Sequence, residues 1–235
     1  MDRLPENQEI FITMHKNLIA LIAVLYSIHV QAQKIDSSYN NTYYQGRMEL
    51  FNSLQIPHSA IVFLGNSITE RGMWHELLSG KPIVNRGIGG DNTFGVLARI
   101  QPVIDAKPKK VFLLIGVNDI SRNLPVEVTA ANYEKIIQRF KKGSPKTTLY
   151  VQSVLPVNDA ILKADYIKNK GHLIIELNKR IKALAAQYNV PFIELYSLFN
   201  DGQGNLLPDM TNDGIHLRPA AYVKWVDFLK RNKYL

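Results

Sequence analysis

Short apolar runs alternate with longer segments of helical periodicity along most of this chain. Five runs, mostly rich in Val, Ile and aromatic residues, have the length of buried strands: residues 60–64, 83–84, 111–116, 149–154 and 191–195. Segments in which apolar residues recur at intervals of three and four cover residues 44–54, 94–104, 126–140, 171–188 and 220–229. Strands joined through helices run parallel, and such a sheet is covered on both faces. The alternation therefore predicts an α/β fold, a three-layer α/β/α sandwich around a five-stranded, mostly parallel sheet.

The composition is that of one folded domain with a basic character. The chain has 235 residues, of which 46% are hydrophobic and 20% are charged, enough for one substantial core. Its net charge of +8 would allow binding to nucleic acid or to an anionic surface. The basic residues are spread along the chain without interleaved aromatic residues, so we predict no nucleic-acid partner. The absence of cysteine excludes disulfides and thiolate chemistry.

Residues 14–32 have the pattern of a secretory signal. A short charged start at residues 14–16 precedes an apolar run over residues 18–28, and cleavage would follow Ala32. Translation could then begin at Met14. A retained membrane anchor and a buried helix are the alternatives, but the run is shorter than the ~20 residues that span a bilayer. We expect an exported protein, periplasmic or secreted and without stable membrane insertion, divided into a signal (1–32), an N-terminal segment with the first helix (33–57) and the main domain (58–235).

The residues just after each predicted strand are where chemistry is expected, because the carboxyl ends of parallel strands meet at one edge of a sheet. After the first strand the chain reads Gly65-Asn66-Ser67-Ile68-Thr69. A serine in such a strand-to-helix turn can direct its hydroxyl out of the sheet. Thr69 stands where the Gly-x-Ser-x-Gly motif has its second glycine, so the segment does not match that motif. A turn that only caps the next helix is the alternative interpretation.

Asp213 and His216 precede the last predicted helix and are three residues apart. In a helical or tight turn this spacing places both side chains on one side, where the carboxylate can accept a hydrogen bond from Nδ1 of the imidazole. Nε2 can then take a proton from a serine hydroxyl, which is the logic of a nucleophile, its base and the group that orients the base. The alternative is structural, with Asp213 as a helix N-cap and His216 as an ordinary turn residue.

Two further strand ends carry groups that could bind a developing negative charge. Asn118 follows the third predicted strand, and Gly90 lies in the segment Gly87-Ile88-Gly89-Gly90-Asp91 after the second. The side-chain amide of Asn118 and the backbone N–H of Gly90 suit an oxyanion, because glycine lets the main chain approach closely. A phosphate-binding loop is the alternative for residues 87–90, but their spacing matches neither the dinucleotide-binding nor the P-loop pattern.

Together these four segments resemble the four sequence blocks of the SGNH hydrolases, also called GDSL-like lipases and acylhydrolases. They occur in the family's order over about residues 58–230, and the Gly90 segment and the neighbourhood of Trp74 are most similar to the platelet-activating-factor acetylhydrolase-like branch. One position departs from the family pattern, since Asn66 stands where an aspartate commonly precedes the serine. The resemblance implies the SGNH hydrolase fold, which is flavodoxin-like.

The same resemblance implies a serine esterase with an assigned active site. Ser67 is then the nucleophile, His216 its base and Asp213 the residue that orients the base. The N–H groups of Ser67 and Gly90 and the amide of Asn118 form the oxyanion hole. No metal and no cofactor is required by this mechanism.

The sequence defines the substrate less closely. Asn66, Trp74 and Asn92 follow strand ends and are candidates for lining the substrate site. Because the chain has no long apolar segment that could serve as a lid, we expect short-acyl esters, foremost acetyl esters on carbohydrates. The alternatives are a lipid acylhydrolase or lysophospholipase with the same triad, a non-catalytic carbohydrate-binding module and a flavodoxin-like nucleotide-binding protein. The partner is then a small-molecule or glycan ester, and the chain is expected to be a monomer or a small homo-oligomer.

Overall fold

The structure, a computed structural model, describes residues 35–163 and 165–235. The predicted signal over residues 1–32 therefore lies outside the described residues. Residues 36–235 form one compact unit, so the first helix belongs to the same unit as the sheet. Within the described residues, no helix combines the length and the apolar character needed to cross a membrane.

Within the described residues, five strands form one sheet. They are β1 (Ile61–Gly65), β2 (Ile83–Gly87), β3 (Lys110–Leu114), β4 (Thr148–Gln152) and β5 (Phe192–Ile193). Their spatial order is β2-β1-β3-β4-β5, and each pair of neighbours runs parallel, which confirms the predicted fold class. The chain changes its direction of progress across the sheet after β2, so β1 and β3 lie side by side at the reversal. Ligands of open parallel sheets bind beyond the carboxyl ends of the strands at such a point.

Helices and short helical turns connect the strands. The α-helices of the described residues are α1 (Thr42–Ser53), α2 (Ser67–Glu70), α3 (Trp74–Leu77), α4 (Thr93–Arg99), α5 (Gln101–Asp105), α6 (Val117–Ser121), α7 (Val126–Gly143), α8 (Gly171–Gln187), α9 (Tyr196–Phe199) and α10 (Pro219–Arg231). Two 3₁₀ turns cover Asp165–Ile167 and Pro208–Met210.

An aromatic cluster covers one face of the sheet. Phe63, Phe112 and Tyr150 stand in register on β1, β3 and β4, with neighbouring ring centroids 5.1 and 4.7 Å apart. Trp74 of α3 stacks on Phe63 at 3.9 Å, and Trp225 of α10 meets Trp74 edge-on at 5.0 Å. Aromatic pairs of this kind stabilise a core beyond the area that they bury. Helices α3 and α10 therefore form one outer layer.

Helices α4, α5, α7 and α8 form the other outer layer. From β2 onward each parallel connection progresses in the same direction across the sheet, and right-handed crossovers then place the connecting helices on one face. Helices α7 and α8 pack against each other. Their inward residues, among them Tyr133, Ile136, Leu177 and Ile181, are fully buried.

The sequence predicts one helix over residues 94–104, and here the structure differs. Helix α4 ends at Arg99, and α5 begins at Gln101. Pro102 lies in the first turn of α5, where its ring nitrogen has no hydrogen to donate to the preceding turn. The ladder of helical hydrogen bonds is therefore interrupted at Ile100, and the periodic apolar pattern continues across two short helices.

Candidate active site

Ser67 stands at the carboxyl end of β1, where it opens helix α2. Asn66 caps that helix, since its Oδ1 accepts a hydrogen bond from the N–H of Ile68 at 3.0 Å. A side chain at Gly65 would overlap the carbonyl oxygen of Leu114, so glycine is what lets the two central strands approach each other here. Ser67 itself remains partly exposed at the edge of the sheet.

A chain of hydrogen bonds joins Ser67 to His216 and Asp213. Oγ of Ser67 lies 2.9 Å from Nε2 of His216, and Nδ1 of the same imidazole lies 2.6 Å from Oδ2 of Asp213. If Nδ1–H donates to the carboxylate, Nε2 is the acceptor for the serine hydroxyl. The structure thus brings together the three side chains that the sequence singles out. Along the chain, Ser67 lies near the start of the domain, and Asp213 and His216 lie near its end.

Thr211 fixes the turn that carries Asp213 and His216. Its Oγ1 accepts a hydrogen bond from the N–H of Gly214 at 3.0 Å and donates to the carbonyl oxygen of His216 at 2.8 Å. Oδ1 of Asp213 accepts from the N–H groups of Ile215 at 3.0 Å and His216 at 2.7 Å. Because both carboxylate oxygens are engaged, Asp213 cannot rotate away from the imidazole without losing backbone hydrogen bonds.

These contacts also set the charge of Asp213. Partial burial acts to raise the pKa of its carboxyl, but hydrogen bonds from the backbone and imidazole of His216 and from the N–H of Ile215 outweigh burial and hold the pKa below its usual value. Asp213 therefore stays ionised at neutral and mildly acid pH. A lowered pKa in the folded state contributes stability above the unfolded-state pKa, and this contribution is lost only when the pH falls through the folded-state pKa.

The loop of Gly90 passes beside Ser67, since a methyl group built on the neighbouring Gly89 would be 4.0 Å from the serine Cβ. Asn118, on α6, donates from Nδ2 to the carbonyl oxygen of Asp91 at 2.7 Å. A carboxamide has a second N–H, which this contact leaves for another acceptor. Gly90 is exposed, has a φ of +74°, and would meet no described atom within 4 Å of an added Cβ. The backbone at Gly90 is therefore open to a ligand.

The three residues predicted to line the substrate site are instead buried. Asn66 and Asn92 are 0% exposed, and Trp74 is 1% exposed. Asn92 caps α4 by accepting from the N–H of Gly95 at 3.1 Å, as Asn66 caps α2. The indole of Trp74 donates to the carbonyl oxygen of Thr69 at 2.8 Å and stacks in the core. The prediction that these three residues face the substrate is therefore wrong, because cap geometry and core packing take up their side chains.

A buried ion pair supports the loop that follows Gly90. The side chains of Asp91 and Arg99 approach to 2.8 Å and are 0% and 2% exposed. Arg99 also donates to the carbonyl oxygens of Gly65 and Arg86, at the ends of β1 and β2, at 2.9 Å each. Burial raises the pKa of Asp91, although the guanidinium opposes this shift. The sequence carries no signal for the pair, since Asp91 lies in the loop before α4 and Arg99 is the last residue of that helix, so no helical spacing relates them.

A second buried carboxyl lies directly behind Asn118. Asp119 is 0% exposed and accepts hydrogen bonds from the N–H and the hydroxyl of Thr93. Asn132 donates in turn to the hydroxyl of Thr93 at 2.9 Å. Burial raises the pKa of Asp119 to about 7, although the hydrogen bonds from Thr93 act to lower it. This network joins α4, α6 and α7 behind the amide of Asn118.

In the part of the chain that the structure describes, no group of three or more His, Cys, Asp or Glu side chains is arranged to hold a metal ion. The site offers a hydroxyl, an imidazole, a carboxylate and several N–H donors. This set of groups is suited to acyl transfer through a serine nucleophile.

Comparisons with known proteins agree with this chemistry. The model of the GDSL-like Lipase/Acylhydrolase family matches residues 63–224. Platelet-activating factor acetylhydrolase IB subunit alpha2 of Rattus norvegicus is 26% identical over 170 residues, which cover 70% of this chain and 71% of that protein. A GDSL-like lipase from Bacteroides thetaiotaomicron, known from its crystal structure, is 28% identical in sequence and matches with a TM-score of 0.71. The match covers 82% of this chain and 98% of the lipase chain.

A more distant structure shares the fold. An acetylxylan esterase from Geobacillus stearothermophilus is 19% identical, with a TM-score of 0.61, and the match covers 75% of this chain and 95% of the esterase. The fold is thus shared by proteins of low sequence identity.

Proposed function

Because the chain belongs to the GDSL-like lipase/acylhydrolase family and is a carboxylic ester hydrolase, we propose that it cleaves short-acyl esters, foremost acetyl esters of carbohydrates. We propose Ser67, His216 and Asp213 as its catalytic triad. The observation that carries the proposal is the 2.9 Å contact between Oγ of Ser67 and Nε2 of His216, continued by the 2.6 Å contact to Asp213. The family assignment confirms the resemblance of the four sequence segments.

In the first half-reaction, Oγ of Ser67 attacks the carbonyl carbon of the ester while its proton passes to Nε2 of His216. The Asp213 carboxylate stabilises the resulting imidazolium through Nδ1. The carbonyl oxygen, now negative, accepts hydrogen bonds from the N–H groups of Ser67 and Gly90 and from the second amide N–H of Asn118. The bond to the alcohol oxygen then breaks, and the alcohol leaves with the proton from Nε2.

In the second half-reaction, water removes the acyl group from Ser67. Nε2 of His216 takes a proton from the water molecule as its oxygen attacks the acyl carbonyl carbon. The same N–H donors hold the second oxyanion. Collapse of this intermediate returns the proton to Oγ of Ser67 and releases the carboxylic acid, so the enzyme is regenerated.

The segment after β4 supports a short acyl group. The N–H of Asn158 donates to the carbonyl oxygen of Gly214 at 2.8 Å, and a side chain at Gly214 would crowd Asn158 and Leu162. This segment is therefore tied to the turn of Asp213 and His216, and it continues into charged residues rather than into an apolar lid. The acetylhydrolase among the sequence relatives and the acetylxylan esterase that shares the fold also support acetyl as the acyl group.

One observation favours a longer acyl chain. A cavity of about 240 Å³ lies beside Leu217, the residue after His216, and most of its lining is apolar: Arg71, Met73, Glu76, Leu77, Leu217, Pro219, Tyr222 and Val223. Met73 is 63% exposed and Val223 47%, so the cavity opens to solvent. A lipid acylhydrolase or lysophospholipase with the same triad is therefore the second candidate function.

Hydrolysis of p-nitrophenyl acetate beside p-nitrophenyl octanoate distinguishes the two candidates. We expect the larger kcat/KM with the acetate, and loss of both activities in the Ser67→Ala variant. A preference for octanoate would replace the short-acyl proposal by the lipid candidate. Equal hydrolysis by the wild type and by Ser67→Ala would overturn the triad and leave a non-catalytic carbohydrate-binding module.

Asn118→Ala is expected to lower kcat for p-nitrophenyl acetate by about 10²–10³-fold, because one oxyanion donor is lost. The measurement is steady-state kinetics together with thermal unfolding, since the amide also holds the carbonyl of Asp91. Asn52→Ala, an exposed position on α1, is the matched control and should leave kcat unchanged. A loss of less than about threefold at Asn118 would remove this residue from the oxyanion hole.

Asn66→Asp is expected to leave kcat/KM within about tenfold of the wild type, since position 66 takes part in neither proton transfer. An aspartate can keep the cap, because its carboxylate can accept from the N–H of Ile68 as the amide oxygen does. The change also removes Nδ2 of Asn66, which is buried without a hydrogen-bond partner among the described residues. Steady-state kinetics with p-nitrophenyl acetate measure the effect, and a larger loss would give position 66 a direct part in the chemistry.

We also propose that the protein is exported, to the periplasm or to the medium. The support is the charged start, the apolar run and the small residues over residues 14–32. The intact mass of the exported protein should correspond to a chain that starts at Gln33. A different first residue would contradict cleavage after Ala32.

A further inference from the structure

Residues 36–47 precede the region that matches the family, yet they contact the loop of Gly90. We call these residues the N-terminal strap. Nδ2 of Asn92 donates to the carbonyl oxygen of Ser38 at 3.0 Å, and Arg122 bridges the carbonyl oxygens of Ser38 and Gly90. The N-terminal strap therefore packs against the loop of Gly90.

The first turn of α1 holds its two tyrosines in fixed directions. Oδ1 of Asn41 caps the helix by accepting from the N–H of Tyr44 at 2.9 Å. The Tyr44 ring points inward, is 6% exposed, and donates from its hydroxyl to the carbonyl oxygen of Gly95 at 2.9 Å. Its neighbour Tyr43 is 53% exposed. The ring of Tyr43 is thus presented to solvent by an anchored helix.

Contacts with α2 hold the ring of Tyr43 near the nucleophile. Its hydroxyl donates to Oε1 of Glu70 at 2.6 Å, and Nε of Arg47 lies 3.0 Å from the same oxygen. The hydrogen bond to Glu70 raises the pKa of Tyr43, so the phenol stays protonated and remains a donor. Because α2 begins at Ser67, these contacts tie the Tyr43 ring to the helix of the nucleophile.

Gly89 lies between the Tyr43 ring and Ser67. A methyl group built on Gly89 would lie 3.0 Å from Oε2 of Glu70, 3.4 Å from Cε1 of Tyr43 and 4.0 Å from Cβ of Ser67. The aromatic ring, the carboxylate of Glu70 and the side chain of Ser67 therefore surround one point above Gly89. A ring at this distance can contact the alcohol part of an ester whose carbonyl carbon sits at Ser67.

The strap also lines a polar cavity. Its volume is about 320 Å³, and its walls carry hydroxyls, amides and a guanidinium: Ser37, Ser38, Tyr39, Asn40, Asn41 and Arg122. Such groups donate and accept hydrogen bonds in several directions. The lining includes Asn41, which caps α1 two residues before Tyr43. An exposed aromatic ring and a polar cavity on one segment fit a polyhydroxylated ring, whose C–H face packs on the aromatic surface while its hydroxyls reach the polar groups. A fatty chain would find no matching surface here.

We propose that the N-terminal strap forms the subsite for the alcohol part of the ester and that Tyr43 determines specificity there by stacking on a pyranose ring. The inference rests on the proposed ester hydrolysis at Ser67. It adds to that function by assigning the sugar to a part of the chain that lies outside the family match.

The test compares two acetyl esters, acetylated methyl xyloside and ethyl acetate, which share the acyl group and differ in the alcohol. Acetate release is measured for the full chain and for the Tyr43→Ala, Tyr43→Phe and Leu50→Ala variants. For Tyr43→Ala we expect kcat/KM on the xyloside ester to fall about tenfold and that on ethyl acetate to stay within about twofold. Tyr43→Phe keeps the ring and should retain most of the xyloside activity. Leu50→Ala, at an exposed apolar residue on the same helix, should change neither.

Equal losses on the two esters in Tyr43→Ala would overturn the inference, because the residue would then act through Glu70 and α2 rather than on the alcohol. No loss on either ester would overturn it as well. A wild type that cleaves ethyl acetate but not the xyloside ester would remove the sugar subsite and leave the esterase function at Ser67 standing. If neither ester is cleaved, the proposed function fails and takes the inference with it.

Discussion

Ser67→Ala is expected to lower kcat/KM for p-nitrophenyl acetate by at least about 10³-fold. The variant lacks the oxygen that we propose as the nucleophile, so hydrolysis would have to proceed by direct attack of water at a site that retains only its N–H donors. The fold should be kept, because Asn66 still caps α2 through its own side chain and Ser67 is partly exposed. Steady-state kinetics of the wild type and the variant measure the loss of activity, and their unfolding midpoints show whether the fold is kept.

Ser53→Ala is the matched control for this experiment. Ser53 is an exposed serine on α1 whose hydroxyl donates only to the carbonyl oxygen of Leu50 among the described residues, at 2.8 Å. The activity of the Ser53→Ala variant should equal that of the wild type. If Ser67→Ala kept more than about a tenth of the activity while Ser53→Ala was unchanged, Ser67 could not be the nucleophile.

Arg99→Met is expected to lower the free energy of unfolding by about 3–5 kcal/mol, the cost of leaving a buried charge without its partner. Asp91 is 0% exposed and would lose the guanidinium at 2.8 Å. The carbonyl oxygens of Gly65 and Arg86 would each lose the hydrogen bond from the guanidinium as well, although the N–H of Ile88 still donates to Gly65. Urea unfolding measures the change. Arg180→Met, which removes an exposed ion pair with Glu127 and Glu176, is the matched control and should cost less than about 1 kcal/mol.

The pH dependence of the Arg99→Met effect has a defined sign. Burial raises the pKa of Asp91 in the folded protein, and removing Arg99 takes away the charge that opposes this shift. The folded state then binds its proton more tightly than the unfolded state does, so stability falls as the pH rises above the unfolded-state pKa. The loss should therefore be smaller at acid pH than at neutral pH. An equal loss in Arg99→Met and Arg180→Met, without this trend, would show that the buried pair contributes no more than the exposed one.

The Asp91→Asn substitution supplies a second test of the same pair, because it replaces the buried carboxylate by a neutral amide of similar size. Combined with Arg99→Met, it removes the unpaired charge and should recover part of the stability lost in the single variant. Urea unfolding of the two single variants and the double variant measures this recovery. No recovery would mean that the donors to Gly65 and Arg86, rather than the charge pair, carry the effect of Arg99.

The fold class was predictable because its signal is local. A parallel strand covered on both faces reads as a continuous apolar run, and the helices that cover it show apolar residues at every third or fourth position. The structure confirms the five predicted strands as one parallel sheet. The same rule predicts that Ser67, Gly90 and Asn118 lie at one edge of the sheet, since each follows a strand and the carboxyl ends of parallel strands share one edge.

The spacing of Asp213 and His216 is likewise local. Three residues in a tight turn bring a carboxylate to Nδ1 of an imidazole without help from the rest of the chain, and backbone N–H groups of the same turn fix the carboxylate. The interruption of the helix at Ile100 also has a local signal, which is Pro102. The apolar periodicity continues across both short helices and hides the interruption.

The sequence alone thus determined the α/β architecture and the residues brought to one edge of the sheet, because both follow from periodicity and from position after a strand. Only the tertiary structure decided which side chains near that edge are buried or paired. Trp74 is covered by Phe63 and Trp225, Asp91 is paired with Arg99, and Tyr43 contacts Glu70 from a helix before β1. Burial and pairing depend on neighbours in space that are distant along the chain, and no local pattern of residues specifies them.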